Sequence, residues 1–266
     1  MLDSSTILFR QRMSDATDRL NKMVGAAIVP LVRADEDHLH VVGTGTFIYD
    51  AEKTYILTCK HVATEKANVF GVQDMPDLFK IEGSFAQAEG SLDCAMVRTP
   101  ALGWQGPSDE IGPLELNNWF LENHNPTRGE VFFFQGYTQE NSVSGFNVLD
   151  CHPTGYGAQI YDKFASNDRF FYLNFDMSDT QFTPGTPEET RQRTRKGMAN
   201  GLSGALVWDT GLVRALNADR DWQPTDARVT GQVVNWDQSN HQLVARRIED
   251  VAKWIRSVSG SEIADL

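Results

Sequence analysis

Hydrophobic residues recur with two different periods along the chain, and the change between them separates a helical amino terminus from a β-rich body. Over residues 5–23 the apolar positions fall roughly at helical spacing, with charged residues between them. These positions are Ile7, Leu8, Met13, Ala16, Leu20 and Met23. The spacing predicts one amphipathic amino-terminal helix.

From Gly25 onward, short β-rich segments broken by Gly, Asp and Asn replace the helical pattern. The first half contains AAIVPLV, LHVVGTGTFIY, TYILTC, ANVFGV, LFKIEGSF and LDCAMV, and the second contains GEVFFFQGY, FNVLDCHP, FFYLNFDM, GALVWD and TGQVVNW. Strands at this spacing are typical of a sandwich or a barrel. Between the two sets, residues 100–128 carry four prolines and several Gly, Asp and Asn residues, which is typical of a linker.

The chain closes on a second helical pattern, in which Ile248, Val251, Ile255 and Val258 share one face. The predicted organisation is a helical extension over 1–24, a first β-barrel over 25–99, a linker over 100–128, a second β-barrel over 129–245, and a helix with a tail over 246–266.

Composition and charge exclude several classes of protein. Of the 266 residues, 41% are hydrophobic, and the longest apolar runs, such as residues 131–134, are far shorter than the roughly 20 residues of a membrane-spanning helix. A net charge of −12 argues against binding to nucleic acid, which needs clustered positive charge. We therefore expect neither a nucleic-acid nor a membrane partner.

The amino terminus and the cysteines predict a cytoplasmic protein. The first 20 residues lack the basic stretch and apolar core of a secretory signal. Three cysteines, Cys59, Cys94 and Cys151, are too few for a disulfide framework and form no zinc-binding spacing. We expect reduced thiols, no metal and no cofactor.

The segment Gly201-Leu202-Ser203-Gly204-Ala205 is the first candidate for chemistry. Glycines on both sides of a serine allow a tight bend and let backbone N–H groups converge on one point, as stabilisation of an oxyanion requires. The same sequence also arises by chance in ordinary loops. A serine nucleophile further needs a base and a group that orients the base.

His61 and Asp93 are the residues best placed to complete such a site. His61 follows the apolar segment Tyr55–Cys59, which puts it at the end of a strand, whereas the other five histidines lie in polar contexts and are expected at the surface. Asp93 lies among apolar residues, where a carboxylate needs a partner. Each residue alone is also compatible with a structural role.

Four segments in order resemble the trypsin-like serine proteases of the chymotrypsin fold, in particular intracellular bacterial-type members. They are Gly43-Thr44-Gly45-Thr46-Phe47-Ile48, Ile56-Leu57-Thr58-Cys59-Lys60-His61-Val62, Leu92-Asp93-Cys94-Ala95-Met96-Val97 and Gly201–Ala205. The resemblance covers about residues 25–258. It implies an all-β fold of two six-stranded antiparallel barrels, here with an extra amino-terminal helix and a carboxy-terminal helix.

The resemblance also implies roles for individual residues. His61 would be the general base, Asp93 its orienting carboxylate and Ser203 the nucleophile, with the N–H groups of Gly201 and Ser203 forming the oxyanion hole. The segment Val234-Asn235-Trp236 would line the substrate channel, and Gly197 and Met198 would lie near the base of the primary specificity pocket. Without an acid in that segment, an apolar or small residue before the cleaved bond is favoured.

Two departures from the family pattern affect the interpretation. Leu202 stands where many members have an aspartate that pairs with a newly cut amino terminus, so that route of activation is not expected. Asn235 replaces the usual serine, and its amide is expected to contact Asp93.

The resemblance predicts a serine endopeptidase that cleaves an intracellular protein through an acyl-enzyme. Control by a regulatory protein partner, by the amino-terminal helix or by the polar segment 176–197 is expected, although that segment also fits an ordinary solvated loop. The alternatives are a protease-like module that binds a peptide without cleaving it, and an esterase.

Overall fold

The computed structural model describes residues 4–35, 38–72, 75, 77–99, 112–145, 148–161, 167–176, 182, 186, 188–195 and 199–260. Its first sheet is built from β1 (Ile28–Ala34), β2 (Leu39–Asp50), β3 (Lys53–Thr58), β4 (Val69–Gly71), β5 (Leu78–Lys80), β6 (Ala86–Gln87), β7 (Ala95–Thr99) and β8 (Leu114–Glu115). The strand order is β5-β4-β1-β2-β3-β7-β6, antiparallel throughout, and β8 pairs in parallel with β2.

The second sheet contains β9 (Phe132–Gly136), β12 (Thr154–Ala158), β13 (Phe170–Asn174), β14 (Leu206–Asp209), β15 (Arg228–Asp237) and β16 (Gln242–Arg247). These six strands are antiparallel in the order β12-β9-β14-β15-β16-β13. A separate hairpin joins β10 (Ser142–Gly145) to β11 (Val148–Cys151). The two predicted antiparallel β halves are confirmed. The second sheet has the predicted six strands, whereas the first has eight, because two-residue strands such as β6 and β8 extend it.

Six helices accompany the sheets in the described ranges: α1 (Ser4–Gly25), α2 (Lys60–Thr64), α3 (Leu116–Trp119), α4 (Glu188–Arg195), α5 (Leu212–Asn217) and α6 (Ile248–Ser259). The predicted helices at both ends of the chain are therefore present. Helix α4 lies inside the polar segment 176–197, much of which falls outside the described residues. No helix of the described part is both long and apolar enough to span a bilayer.

The largest hydrophobic cluster joins both sheets and both terminal helices. It includes Leu20 of α1, Tyr55 of the first sheet, Phe133 and Trp208 of the second, and Val251 of α6, all nearly or completely buried. Shared burial of this kind fixes the two sheets against each other, because the interior is close-packed. Helix α1 is thus part of the core.

The segment between the sheets contacts both of them. Strand β8 extends the first sheet, while Phe120 forms an isolated bridge with Val229 of the second sheet. Strands β6, β8, β10, β12 and β16 lie outside the predicted segments. In β12, whose sequence is TGYGA, glycines and polar residues obscure the alternation of hydrophobic and polar positions that marks a strand. Strand β8 has only two residues.

One expectation about the histidines is wrong. His124 is only 8% exposed, and its ring stacks on Phe171 with 4.1 Å between the ring centroids. Burial, assisted by the charge of Arg247, lowers the pKa of His124 to about 4. His124 is therefore a neutral packing residue, and its Nδ1 atom lies 2.7 Å from Thr230 Oγ1.

Candidate active site

His61 lies at the junction of β3 and α2. The buried side chains of Tyr55, Ile56 and Leu57 fix the strand, and Cys59, in an extended conformation, ends it just before the helix begins. The His61 side chain is 41% exposed. A rigid strand end therefore presents the imidazole ring to an open surface.

Asp93 holds His61 by two hydrogen bonds. The imidazole Nδ1 lies 2.6 Å from Asp93 Oδ2, and the backbone N–H of His61 donates to Oδ1 over 3.0 Å. The hydrogen bond to Asp93 raises the pKa of His61 against the effect of burial. Burial alone would raise the pKa of Asp93, but the hydrogen bonds from the side chain and backbone of His61 and from the backbone of Lys60 hold it below its ordinary value.

Cys59 lies beside this pair, and the ligand-type atoms of Cys59, His61 and Asp93 all fall within 4.8 Å of one another. The thiol donates to the backbone carbonyl of Val233 over 3.2 Å, and burial raises the pKa of Cys59 well above its usual range. A protonated thiol and an imidazole nitrogen already engaged by a carboxylate do not suit a cation. These donors fit an acid–base pair better than a metal centre.

Ser203 lies in a turn whose geometry depends on two glycines. Leu202 N donates to Ala199 O over 3.0 Å, and Gly201 has a φ of +101°, as expected for the third residue of a type II turn. A Cβ atom at Gly201 would lie 2.3 Å from the carbonyl oxygen of Tyr137. Gly204, with a φ of +95°, is equally confined, because its Cβ would lie 2.1 Å from Thr44 O.

The turn leaves two backbone N–H groups available at the cleft. The carbonyl oxygen of Asn200 accepts a hydrogen bond from Gln139 N over 2.9 Å, so the N–H of Gly201 in the same trans peptide points the opposite way. Within the described part of the chain, the N–H groups of Gly201 and Ser203 have no acceptor. Both residues border the same cleft, where two free donors can stabilise a developing oxyanion.

Thr44 of β2 ties this turn to the first sheet. Its N–H donates to Ser203 O over 2.9 Å, and its hydroxyl donates to Gly201 O over 2.8 Å while accepting from Tyr137 N over 3.0 Å. The Thr44 carbonyl in turn accepts from the Thr58 hydroxyl over 2.9 Å. Thr44 is completely buried, so this one residue connects Thr58, at the end of the strand before His61, to the turn that carries Ser203.

The cleft between the sheets has a volume of about 230 Å³. His61, Gly201 and Ser203 border it. Its lining also includes Val42, Glu65, Gln139, Asn235, Trp236 and Leu243. Within the described residues, the Ser203 hydroxyl makes no hydrogen bond with His61. Such contacts between nucleophile and base are often long without substrate and shorten when it binds.

The remaining predicted site residues lie in different surroundings. Asn235 and Trp236 border the cleft, whereas Val234 packs against the hydrophobic cluster of the first sheet. The expected contact between Asn235 and Asp93 is not formed, because Asn235 is exposed on the cleft side of β15 while its neighbour Val234 faces the core. Gly197 and Met198 lie outside the described residues.

Sequence reasoning missed several residues that shape the site. Thr44 belongs to one of the four segments that carry the resemblance, but no role was assigned to it. Gln139, which orients the Asn200 carbonyl, and Glu65, which adds to the raised pKa of His61, had no signal in the sequence. Their contacts join segments far apart in the chain, which no local pattern records.

The comparisons with known proteins identify the fold. No family model and no curated protein match the chain by sequence. A serine endoprotease from Yersinia pestis superposes with a TM-score of 0.56 at 14% identity over 91% of this chain and 66% of that chain. The active form of the Rv3671c protease from M. tuberculosis superposes with a TM-score of 0.52 at 14% identity, over 98% of this chain and 88% of that one.

The chain therefore has the fold of the trypsin-like serine proteases, and the predicted two-barrel, chymotrypsin-like architecture is confirmed. It spans about two thirds of the length of the Yersinia protease chain. At these identities the similarity describes the fold alone.

Proposed function

We propose that this protein is a serine endopeptidase with Ser203 as nucleophile, His61 as general base and Asp93 as the carboxylate that orients it. The observation that carries the proposal is the cleft itself. The His61–Asp93 pair, the Ser203 hydroxyl and the two unpaired N–H groups of Gly201 and Ser203 all meet at it. Each group has a role in acyl transfer.

The reaction follows from these positions. Because Asp93 holds Nδ1 of His61, the ring is oriented with Nε2 available to take the proton from Ser203 Oγ as it attacks the scissile carbonyl. The Gly201 and Ser203 N–H groups stabilise the oxyanion, and Asp93 stabilises the imidazolium. His61 then protonates the leaving amine, and water, activated by His61, hydrolyses the acyl-enzyme.

We expect the substrate to be a protein or peptide with a small or apolar residue before the cleaved bond. Trp236 and Leu243 supply apolar surface, and among the described residues that border the cleft the only acidic one is Glu65, near His61. Nothing in the described lining would pair with a basic side chain on the Trp236 side.

We further propose that the enzyme acts in the cytoplasm and is controlled by a protein partner or by the segment 176–197. The three cysteines are all unpaired, which suits a reducing compartment. Helix α1 is a poor gate, because Leu20, Met23 and Val24 are buried in the core and no α1 residue borders the cleft. Deletion of residues 1–23 should therefore unfold the protein rather than activate it.

A fluorophosphonate probe tests the proposed nucleophile. We expect the wild-type protein to be labelled at Ser203, and Ser203→Ala to lose both labelling and proteolysis while keeping its melting temperature. Ser239→Ala, at an exposed serine in the short 3-10 helix Gln238–Asn240, is the matched control and should behave like wild type. Labelling that persists in Ser203→Ala would refute the assignment.

The alternatives give different results in the same experiment. A non-cleaving binding module is one alternative, because Ser203 and His61 are not hydrogen-bonded to each other within the described residues. It is favoured if the folded protein is never labelled and still binds peptides in the cleft. An esterase is favoured if Ser203 is labelled and turns over esters but no peptide. Substrate profiling of the purified protein with esters and peptides separates an esterase from a peptidase.

A further inference from the structure

A second cavity, of about 450 Å³, lies behind the loop that carries Asp93. Its lining comes from three places: Glu89, Ser91 and Leu92 of that loop, Arg169 and Arg246 at the β13 and β16 side, and one face of α6. None of its lining residues borders the cleft. It is therefore a separate site, connected to the cleft through the chain segment 91–93.

The cavity is rich in positive charge for so acidic a chain. Arg169, Arg246 and Lys253 line it, against two acids, Glu89 and Asp250. In the described part of the chain, neither Arg169 nor Lys253 lies within ion-pair distance of a carboxylate, and Arg246 lies 3.8 Å from Asp250. Three cations against two acids give the lining one net positive charge in a protein of net charge −12, which favours an anionic ligand.

Arg246 is the buried element of this site. Arg246 is only 3% exposed, and its guanidinium carbon lies 4.6 Å from the centroid of the Phe170 ring. Nη2 donates to Ser91 O over 2.6 Å, whereas Nε has no hydrogen-bond partner within the described residues. A buried charge with incomplete hydrogen bonding gains stability from a nearby anion.

Apolar surface accompanies the charge. Leu92 and Trp254 both line the cavity and are partly buried against the main core. A simple inorganic anion would leave this surface uncovered. An acidic segment with an apolar side chain next to its carboxylates would cover it, and the indole face of Trp254 suits such a contact.

The same arginines hold the segment that leads to Asp93. Arg246 donates to the backbone oxygen of Ser91, and Arg169 Nη1 lies 3.3 Å from the Ser91 hydroxyl. Ser91 is two residues from Asp93. An anion that engages these guanidinium groups competes with Ser91 for them, and so changes how firmly the Asp93 loop is held.

We propose that this cavity binds an acidic peptide segment of a partner or substrate protein, carrying an apolar side chain beside its carboxylates, and that occupancy changes the reactivity of Ser203 through the Asp93 loop. The binding part stands apart from the proposed peptidase activity. The coupling part rests on that activity.

An NMR titration tests the binding. The probe is an acetylated, amidated tetrapeptide of sequence Glu-Leu-Asp-Leu, and the signal is the indole N–H of Trp254, identified by its loss in Trp254→Phe. We expect a saturable shift, at least tenfold weaker binding by the amide peptide Gln-Leu-Asn-Leu, and weaker binding of the acidic peptide in 0.5 M salt. Because Arg246 is buried, the variant used is Arg169→Gln with Lys253→Gln, for which we expect at least a tenfold loss of affinity.

Arg256→Gln is the matched control, since Arg256 is an exposed cation on α6 that does not line the cavity. It should bind the acidic peptide like wild type. Absence of a saturable shift, or equal affinity in the double variant, overturns the site. Inorganic phosphate that displaces the peptide at equal concentration overturns the assignment of a peptide in favour of a simple anion.

The coupling has its own readout, the rate of fluorophosphonate labelling of Ser203. We expect the rate to change with a midpoint equal to the dissociation constant of the acidic peptide, and to stay constant in the double variant. Peptide binding with an unchanged labelling rate overturns the coupling alone. A protein that binds the peptide but is never labelled refutes the peptidase and leaves the cavity as a binding site.

Discussion

The two halves of the cleft are held in different ways. The His61–Asp93 pair is built inside the first sheet, where β3 and β7 are hydrogen-bonded neighbours and the loops at their ends meet. The Ser203 turn belongs to the second sheet but takes key hydrogen bonds from the first, through Thr44. The base and its carboxylate thus both come from one sheet, whereas the turn that carries the nucleophile depends on the contact between the two.

This difference predicts which substitutions act locally. Changes to the His61–Asp93 pair should affect the chemistry and leave the packing of the sheets intact. Changes around Thr44 should disturb both the oxyanion turn and the stability of the interface between the sheets. Variants of each half test this contrast.

Asp93→Asn should give the largest loss. An amide can still occupy the site, but it no longer stabilises the imidazolium and can favour the wrong tautomer of His61, which in the equivalent triad costs about 10⁴ in kcat. Peptide hydrolysis or fluorophosphonate labelling measures the effect. We expect a melting temperature close to that of the wild type, and a large drop in it would contradict the local character of the pair.

Gly201→Ala should lower the rate by about 10²–10³, the cost of losing one oxyanion donor. The added Cβ would lie 2.3 Å from Tyr137 O, and a φ of +101° is strained for alanine, so the peptide must rotate. We expect kcat to fall while KM stays unchanged. Gly129→Ala is the control, because Gly129 also has a positive φ but its Cβ would meet nothing within 4 Å.

Thr44→Val should have a mixed effect. It leaves Gly201 O and Tyr137 N without their partner, at a cost of about 1–3 kcal/mol in the free energy of unfolding. We also expect kcat to fall about tenfold, equivalent to about 1.4 kcal/mol of transition-state stabilisation. Denaturant unfolding and turnover are measured together.

Thr44→Ser is the matched control for this variant, because serine keeps the hydroxyl and loses only a methyl group. It should restore kcat to near the wild-type value. Equal losses of kcat in the serine and valine variants would show that packing, rather than the hydroxyl, holds the oxyanion turn.

The pH profile should show the smallest effect. His61 acts as a base only when neutral, so the rate falls as the pH drops through its pKa, which Asp93 raises above the ordinary value of 6.5. Because Glu65 also raises the pKa of His61, Glu65→Gln should move the acidic limb to lower pH. Glu82→Gln, at an exposed acid absent from the cleft, should leave the limb in place.

Much of the first half of the fold could be predicted from the sequence because its strands are short, apolar and clearly bounded. Strand β3 contains four consecutive buried residues and ends just before α2, so the position of His61 followed from local pattern alone. Strand β12 was missed because its residues TGYGA are mostly half-exposed and pack against α1, which supplies the burial that the alternation does not show.

The motifs around His61, Asp93 and Ser203 and the apolar periodicity of the terminal helices could be recognised in the sequence, because each depends on neighbours within a few residues. Other features depended on contacts between distant segments and were decided by the tertiary structure. Thr44 meets Gly201, 157 residues away, Asn235 faces the cleft instead of Asp93, and Arg246 reaches Ser91 across 155 residues. A local pattern selects a strand or a helix, but only the packing of one sheet on another decides which buried polar groups find each other.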